Sequence, residues 1–340
     1  EKQEKLIIGD GFSGSGVVSR LFKTKETELY ANDLAGYSKT LNACYLSSPT
    51  KSELQKIKEY IDQANKKADD EMSGKIHGGW ISKHWSPESE EIKEYERAFY
   101  TSKNGRRIDI MRDYIETIPE KYRPYLLGPL LVECSIHNNT NGQFSAYYKD
   151  KDGKKGEYGG KTKTDVKRIT QDIRIPYPIL DPSKCKVNLS QKDVNEWAKD
   201  VGELDVVYYD PPYNKHPYNI YYFMLDVINN WDKNAEIPDT NRGQSASRTK
   251  SLYNSSIHAK KAMNDLLENT KAKYIMLSYN DGGIISIPDM DELLKGHSDD
   301  VKKIPIDHKT YNRLKGISNY KRTAEYKPVK EYLYIIRKNI

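Results

Sequence analysis

The sequence predicts an α/β chain: a doubly wound, mostly parallel sheet split by a large, mainly helical insertion. Three observations predict it. Residues 5–33 read as strand, glycine turn, helix, strand, and both strands end in an acid, Asp10 and Asp33. The pattern then stops, and the stretch from residue 50 to residue 189 is of different character. It returns at residues 204–210 (LDVVYYD), a third apolar strand that again ends in an acid, Asp210.

Each element has its own local reason. KLIIGD (5–10) is a short apolar run, the mark of a buried strand. The glycine turn FSGSG follows, and VVSRLFK then starts a helix with apolar positions at Val17, Val18, Leu21 and Phe22. ELYAND (28–33) is the second strand. Residues 50–125 are rich in charge and read as helical, as in SELQKIKEYIDQANKKADDEM; the apolar run YLLGPLLVECSIH, from Leu126 onward, reads as a further helix. Residues 139–164 are rich in Gly, Asn, Lys and Tyr and read as loops or hairpins. Residues 273–280 (KYIMLSYN) and 331–338 (EYLYIIRK) read as strands; the alternation of the second suits an antiparallel edge strand. The expected organisation is therefore residues 1–49 as the first part of a sheet domain, 50–189 as an inserted domain, and 190–340 as the second part.

Composition bounds the function. The chain has 340 residues, 36% hydrophobic and 31% charged, with a mean hydropathy of −0.85. It has no apolar run of the roughly 18 residues a bilayer span needs, so no membrane role is expected. The 27 Tyr, 5 Phe and 4 Trp argue against a disordered chain. The opening EKQEKLIIGD lacks the apolar core of a secretion signal. Cys44, Cys134 and Cys185 show neither a disulfide framework nor a zinc spacing, which suits the reducing cytoplasm. The seven His are dispersed, and no metal site is expected. A formal charge of +6 is a mild basic excess that permits a nucleic-acid partner.

Two motifs carry chemistry. In Asp10-Gly11-Phe12-Ser13-Gly14-Ser15-Gly16, the glycines let backbone approach a ligand, and the following helix offers free N–H groups. Asp33, ending the next strand, can accept the two hydroxyls of a ribose. In Asp210-Pro211-Pro212-Tyr213, two prolines make a stiff arm that cannot join the sheet. The arm presents a carboxylate and carbonyls as acceptors beside the flat face of Tyr213, a set suited to a planar base with an exocyclic amino group.

The pair FSGSG and DPPY resembles the amino-methyltransferases of DNA that use S-adenosylmethionine. The resemblance extends to NTNGQFSAYYKD (139–150), GGKTKTDVKRI (159–169), IPYPIL (175–180), FYTSKNGRRIDIMRDYI (99–115), HPYNIYYFMLDVI (216–228) and YIMLSYNDGGII (274–285), which look like the adenine-specific DPPY class. The order of glycine motif, long insertion and DPPY is that of its alpha arrangement. The resemblance implies a Rossmann-like methyltransferase sheet, mostly parallel with an antiparallel edge strand, and a target-recognition domain in the insertion.

It also implies roles. Asp10, Gly11, Phe12, Ser13, Gly14 and Gly16 would line the methionine end of the cofactor, Asp33 with Leu34 would hold its ribose, and Asp193 would meet its adenine. Asp210 and the carbonyl of Pro211 would accept the amino hydrogens of the target base, with Pro212 stiffening the arm and Tyr213 stacking on the base. Tyr222 or Phe223 would flank the pocket or pack in the core. The base must be flipped out of duplex DNA. Its amino nitrogen then attacks the sulfonium methyl group, leaving S-adenosylhomocysteine, without a covalent enzyme intermediate or a metal. The family also carries a segment before the glycine motif that completes the cofactor pocket; with nine residues before Asp10 and no initiator Met, part of it is expected to be missing here.

Residues 149–174 hold nine Lys and Arg against five acids, interleaved with aromatic residues. Lys149 and Arg168, with Tyr148, are the expected DNA contacts, in a salt-sensitive interface. The leading expectation is a sequence-specific DNA methyltransferase acting on the 6-amino group of adenine, the partner of a restriction endonuclease. The alternatives are methylation of the 4-amino group of cytosine, an RNA substrate, and a catalytically silent DNA-binding module. A nicotinamide oxidoreductase would share the sheet and Asp33 but would give DPPY no role.

Overall fold

The computed structural model describes residues 5–25, 28–72, 79–215, 218–245, 251–306 and 330–338. His216 and Pro217, which open one of the resembling segments, lie outside them. The chain divides into two compact units: residues 1–34, 183–217 and 250–340, and residues 35–182 and 218–249.

The first unit is built on a seven-stranded sheet. Its strands are β1 (Ile7–Asp10), β2 (Glu28–Asn32), β3 (Lys186–Ser190), β4 (Leu204–Tyr209), β5 (Ala272–Asn280), β6 (Val301–Ile306) and β7 (Glu331–Arg337). Their order is β3-β2-β1-β4-β5-β7-β6. β3, β2, β1, β4 and β5 run parallel, and β7 is antiparallel to both β5 and β6. One face is covered by helices Val194–Asp200, Ala259–Asn269 and Ile287–Lys295, which bury Trp197, Met263, Leu266, Met290 and Leu294 with Val207, Tyr209, Ile275, Leu277, Tyr334 and Ile336.

The sheet differs from the expectation in two strands. β7 is antiparallel, as its alternation suggests, but it is not the edge; β6 lies outside it. All of β3 but its last residue falls within the stretch expected to be an insertion, yet it pairs with β2 along its whole length. Both are edge strands. KVNLS is short and mostly polar, VKKIPI carries two lysines, and Pro305 within β6 is a residue that only an edge or bulge accepts. An edge strand with little apolar surface leaves little trace in sequence. The unit boundaries accordingly fall at residues 34/35 and 182/183, not at 49/50 and 189/190, and residues 218–249 belong to the second unit.

The second unit is mainly helical. Its longest helix, Lys51–Glu71, starts at a capping box in which Thr50 and Glu53 satisfy each other's backbone N–H groups. Ile57, Ile61, Ala64 and Ala68 recur at helical spacing and are buried. They pack with helices Ser102–Thr117, Arg123–Ile136 and Phe223–Asn230 in a core that includes Met111, Leu126, Leu130 and Phe144. Between residues 85 and 101 the chain is irregular rather than helical. Within residues 139–164 the chain is mostly turns, with Lys149 bridged to Gly156.

Candidate active site

Three acids close three strands on the same side of the sheet. Asp10 is the last residue of β1 and pairs in register with Tyr208 of β4 and Ala31 of β2. Asp210 and Asp33 each lie two residues beyond those partners. Side chains alternate along a strand, so all three carboxylates share one face at the C-terminal ends.

Asp10 is 1% exposed. Its Oδ2 accepts from the Ser19 hydroxyl at 2.6 Å, and its Oδ1 is buried with no hydrogen-bond partner. Burial, above all, raises its pKa to about 7; the carboxylates of Asp33 and Asp210 add to the rise, against the Ser19 bond and the Phe12 backbone N–H. Ser19 reaches it because helix Val17–Lys23 starts after Gly16 in a left-handed conformation (φ 78°). That phase buries Ser19 and Lys23 and leaves the apolar Val17 and Leu21 exposed, so this helix turns part of its polar side to the sheet.

The glycine turn is held by backbone bonds. The Gly11 N–H donates to the Tyr208 carbonyl at 2.9 Å, and the Ser13 N–H to the Asn32 carbonyl at 2.9 Å. A side chain at Gly11 would strike the Tyr209 ring, with a Cβ 2.5 Å from it. Gly11 is therefore required for packing against the strand behind it. At Gly14 (φ 51°) the space where a Cβ would stand is empty, so backbone there is open to a ligand. The Gly14 N–H donates to Asp33 Oδ2 at 2.8 Å. Leu34 beside it is exposed. Phe12 stands edge-on to Tyr209 and Tyr253, with centroids 6.3 and 5.5 Å away.

Asp193 caps helix Val194–Asp200 by accepting from the Asn195 N–H at 2.9 Å. Asn32 ties this segment to the turn: its side-chain amide donates to the carbonyls of Gly11 and Lys192, and its oxygen accepts from the Lys192 N–H at 3.0 Å.

The arm after β4 is Asp210-Pro211-Pro212-Tyr213. Asp210 is exposed on one side, while surrounding protein atoms withdraw part of its water. Burial first, then the Glu331 carboxylate, raises its pKa to about 6. Tyr213 is half-buried, edge-on to Tyr279 with centroids 6.3 Å apart, and its carbonyl accepts from the Ile284 N–H at 2.9 Å. The structure therefore brings together Asp10, the glycine turn, Asp33, Asp193 and the DPPY arm in one unit. Asn32, Ser19, Tyr208 and Glu331 escaped the sequence reading. Asn32 had a signal, an Asn beside the acid that ends its strand; Ser19 is placed by the phase of its helix, and Tyr208 and Glu331 by strand register.

In the second unit the Lys149 ammonium sits 5.2 Å from the Tyr147 ring centroid, and Tyr148 donates to Asp165 at 3.1 Å. The Arg168 guanidinium donates to the carbonyls of Ile136, Asn138 and Thr140. Those bonds make Arg168 a clamp on the chain that leaves helix Arg123–Ile136, a task not expected from the charge run. Phe223 is a core residue, packed among Phe99 and Phe144.

A family model for the D12 class of N6 adenine-specific DNA methyltransferases matches residues 4–293. The chain belongs to that family. It is 26% identical to the type II methyltransferase M.NlaIII of Neisseria lactamica, over 98% of this chain and 91% of that protein. It is 27% identical to M.FokI of Planomicrobium okeanokoites over its whole length, and 28% identical to the modification methylase StsI of Streptococcus sanguinis over 88% of its length. These matches span 50% of M.FokI and 44% of StsI. As a D12 methyltransferase the chain is an enzyme that methylates adenine in DNA. Among the described residues, no helix is long and apolar enough to cross a membrane.

Proposed function

We propose that this methyltransferase uses S-adenosylmethionine and that the acid-lined strand ends of the first unit are its transfer site. The observation that carries the proposal is the buried Asp10 Oδ1, a polar atom with no partner, next to open backbone at Gly14 and the carboxylate of Asp33. A buried acceptor without a donor costs stability unless a ligand supplies one, so these residues suit a polar, cationic nucleoside. The turn Asp10–Gly16 would hold its amino-acid end, Asp33 and Leu34 its ribose, and Asp193 its base. When bound, S-adenosylmethionine supplies a methyl group made electrophilic by its sulfonium.

The chain's own residues do the rest. Asp210 and the Pro211 carbonyl accept the two amino hydrogens of adenine and draw the nitrogen toward a tetrahedral shape with an available lone pair. Pro211 and Pro212 hold those acceptors rigidly, which lowers the entropic cost of alignment. Tyr213 stacks on the flipped base and offsets part of the few kcal/mol that flipping costs.

The second unit is the proposed target-recognition domain. Lys149, with the exposed Lys151 and Lys154, would contact phosphates of duplex DNA, while Arg168 and Tyr148 hold the loop's shape. Sequence-specific methylation within a restriction-modification system fits the type II relatives named above. The test is to incubate the protein with S-adenosylmethionine and unmethylated duplex DNA, digest to nucleosides and analyse by mass spectrometry. N6-methyladenine that maps to one short sequence is the expected product. No methylated base, or N4-methylcytosine, would overturn the proposal.

A further inference from the structure

Methylating an amino group releases a proton. The nitrogen lone pair forms the new C–N bond, the C–S bond breaks with its pair left on sulfur, and the nitrogen stays cationic until one N–H proton departs. A lone exposed carboxylate, with an ordinary pKa near 4, is a poor holder of that proton at neutral pH.

The sheet brings a second carboxylate to Asp210. β7 is antiparallel to β5, so it enters the sheet where the parallel strands leave it. Its first residue, Glu331, pairs with Asn280, the last residue of β5. Tyr208 pairs with Met276, and Met276 with Ile335. Counting by twos from that row puts Tyr208, Asp210, Ser278, Asn280 and Glu331 on one face at one end. The electrostatics agree with the row: Ser278 bears on the Tyr208 phenol, and Asn280 on that of Tyr213. Glu331 lies outside residues 4–293, the part of the chain that the family model matches.

We propose that Glu331 is a positioning residue for methyl transfer: it forms an acid pair with Asp210 that takes up the proton shed by the methylated amino group and passes it to solvent. This rests on the assignment of Asp210 above. Among the described residues, this end of the sheet also carries Tyr208 from β4, Tyr213 from the arm, Asp10 from β1, Asp33 after β2, Asp281 after β5 and Lys330 just before β7. Electrostatic repulsion from Glu331 reaches Asp210, Tyr213 and Tyr208 alike. After the transfer, one carboxylate of the pair is protonated, the base is neutral, and the proton leaves through the accessible side of Asp210.

The experiment compares Glu331→Gln, Glu331→Asp and the parent protein. Aspartate side chains are labelled with 13C at the carboxyl and titrated by NMR without cofactor or DNA; Asp210 is assigned by its loss in Asp210→Asn. In Glu331→Gln the Asp210 midpoint is expected to fall by about one pH unit, a tenfold loss of proton affinity. Glu331→Asp, which keeps the charge, should hold most of the parent value. The acid limb of the kcat–pH profile should move in the same direction in Glu331→Gln, with KM for S-adenosylmethionine unchanged. An unmoved Asp210 midpoint in a folded Glu331→Gln protein overturns the pair. A shifted midpoint with an unmoved rate profile overturns its part in transfer. A parent protein that makes no methylated base, yet shows the shift, overturns the assignment of Asp210 and leaves the pair standing.

Discussion

Asp10 in the sheet unit and Asp109 in the helical unit are both buried carboxylates, 1% and 2% exposed, but their surroundings differ. Asp109 accepts four bonds: from the N–H groups of Trp80, Ile81 and Ser82 at 2.9, 2.7 and 2.9 Å, and from the Ser82 hydroxyl at 2.6 Å. It anchors the start of helix Ile81–His84 to helix Ser102–Thr117. Asp10 has one side-chain donor and the backbone N–H of Phe12 acting on it, an Oδ1 with no partner, and two further acids beside it. Burial raises the pKa of both, but at Asp109 four donors oppose the rise. A buried acid whose neighbours satisfy it holds structure; one left short of donors and surrounded by like charge is arranged for something that arrives from outside.

That contrast can be broken or sharpened by experiment. The largest effect is expected at the transfer site: Asp210→Ala should lower methylation by roughly a thousandfold or more, about 4 kcal/mol of barrier, while cofactor binding by calorimetry survives. Near-parental turnover would remove Asp210 from the chemistry. Next, Asp109→Ala should destabilise the protein by about 3 kcal/mol, since it strands buried donors. Chemical denaturation checks this, and a loss under 1 kcal/mol would mean that the donors find other partners.

Asp10→Asn should act in the opposite way. The folded-state pKa of Asp10 lies above its unfolded value, so its stabilising contribution is complete below pH 3.8 and is lost as pH rises through about 7. The parent should therefore lose stability relative to Asp10→Asn between pH 4 and 7, by an amount on the order of a few kcal/mol. Thermal melts across that range decide it; parallel curves would show that Asp10 is not held protonated. Asp33→Ala should weaken S-adenosylmethionine binding by roughly 10- to 100-fold, about 1.4 to 2.7 kcal/mol, and unchanged affinity would end its assignment to the ribose. The smallest effect is at the second unit's surface. Lys149→Ala should reduce the slope of log affinity for DNA against log salt by about one, and an unchanged slope would put the phosphates elsewhere.

The legibility of the fold follows burial. β1, β4 and β5 are apolar runs because both of their neighbours are strands and one face lies under helices, and each was readable. β3 and β6 have one neighbour each and few apolar residues, and neither was readable. The helix after the glycine turn was readable as a helix, but its inner face was not. Its phase is set by the left-handed Gly16, and the side it buries is the one that carries Ser19.

The same division runs through the site. Asp10, Asp33 and Asp210 could be picked out by sequence alone, because each ends a segment whose apolar character marks it as a strand, and the two prolines after Asp210 dictate a stiff arm through covalent geometry. Local chemistry thus picks out the residues proposed to carry the function. Which of them meet was decided by the tertiary structure. Strand order places β1 between β2 and β4, and the reversal of β7 brings Glu331, 121 positions beyond Asp210 in the chain, to the same end of the sheet. Neither leaves a local trace, because register and order depend on hydrogen bonds between segments far apart in sequence, and any strand of suitable length could in principle have made them.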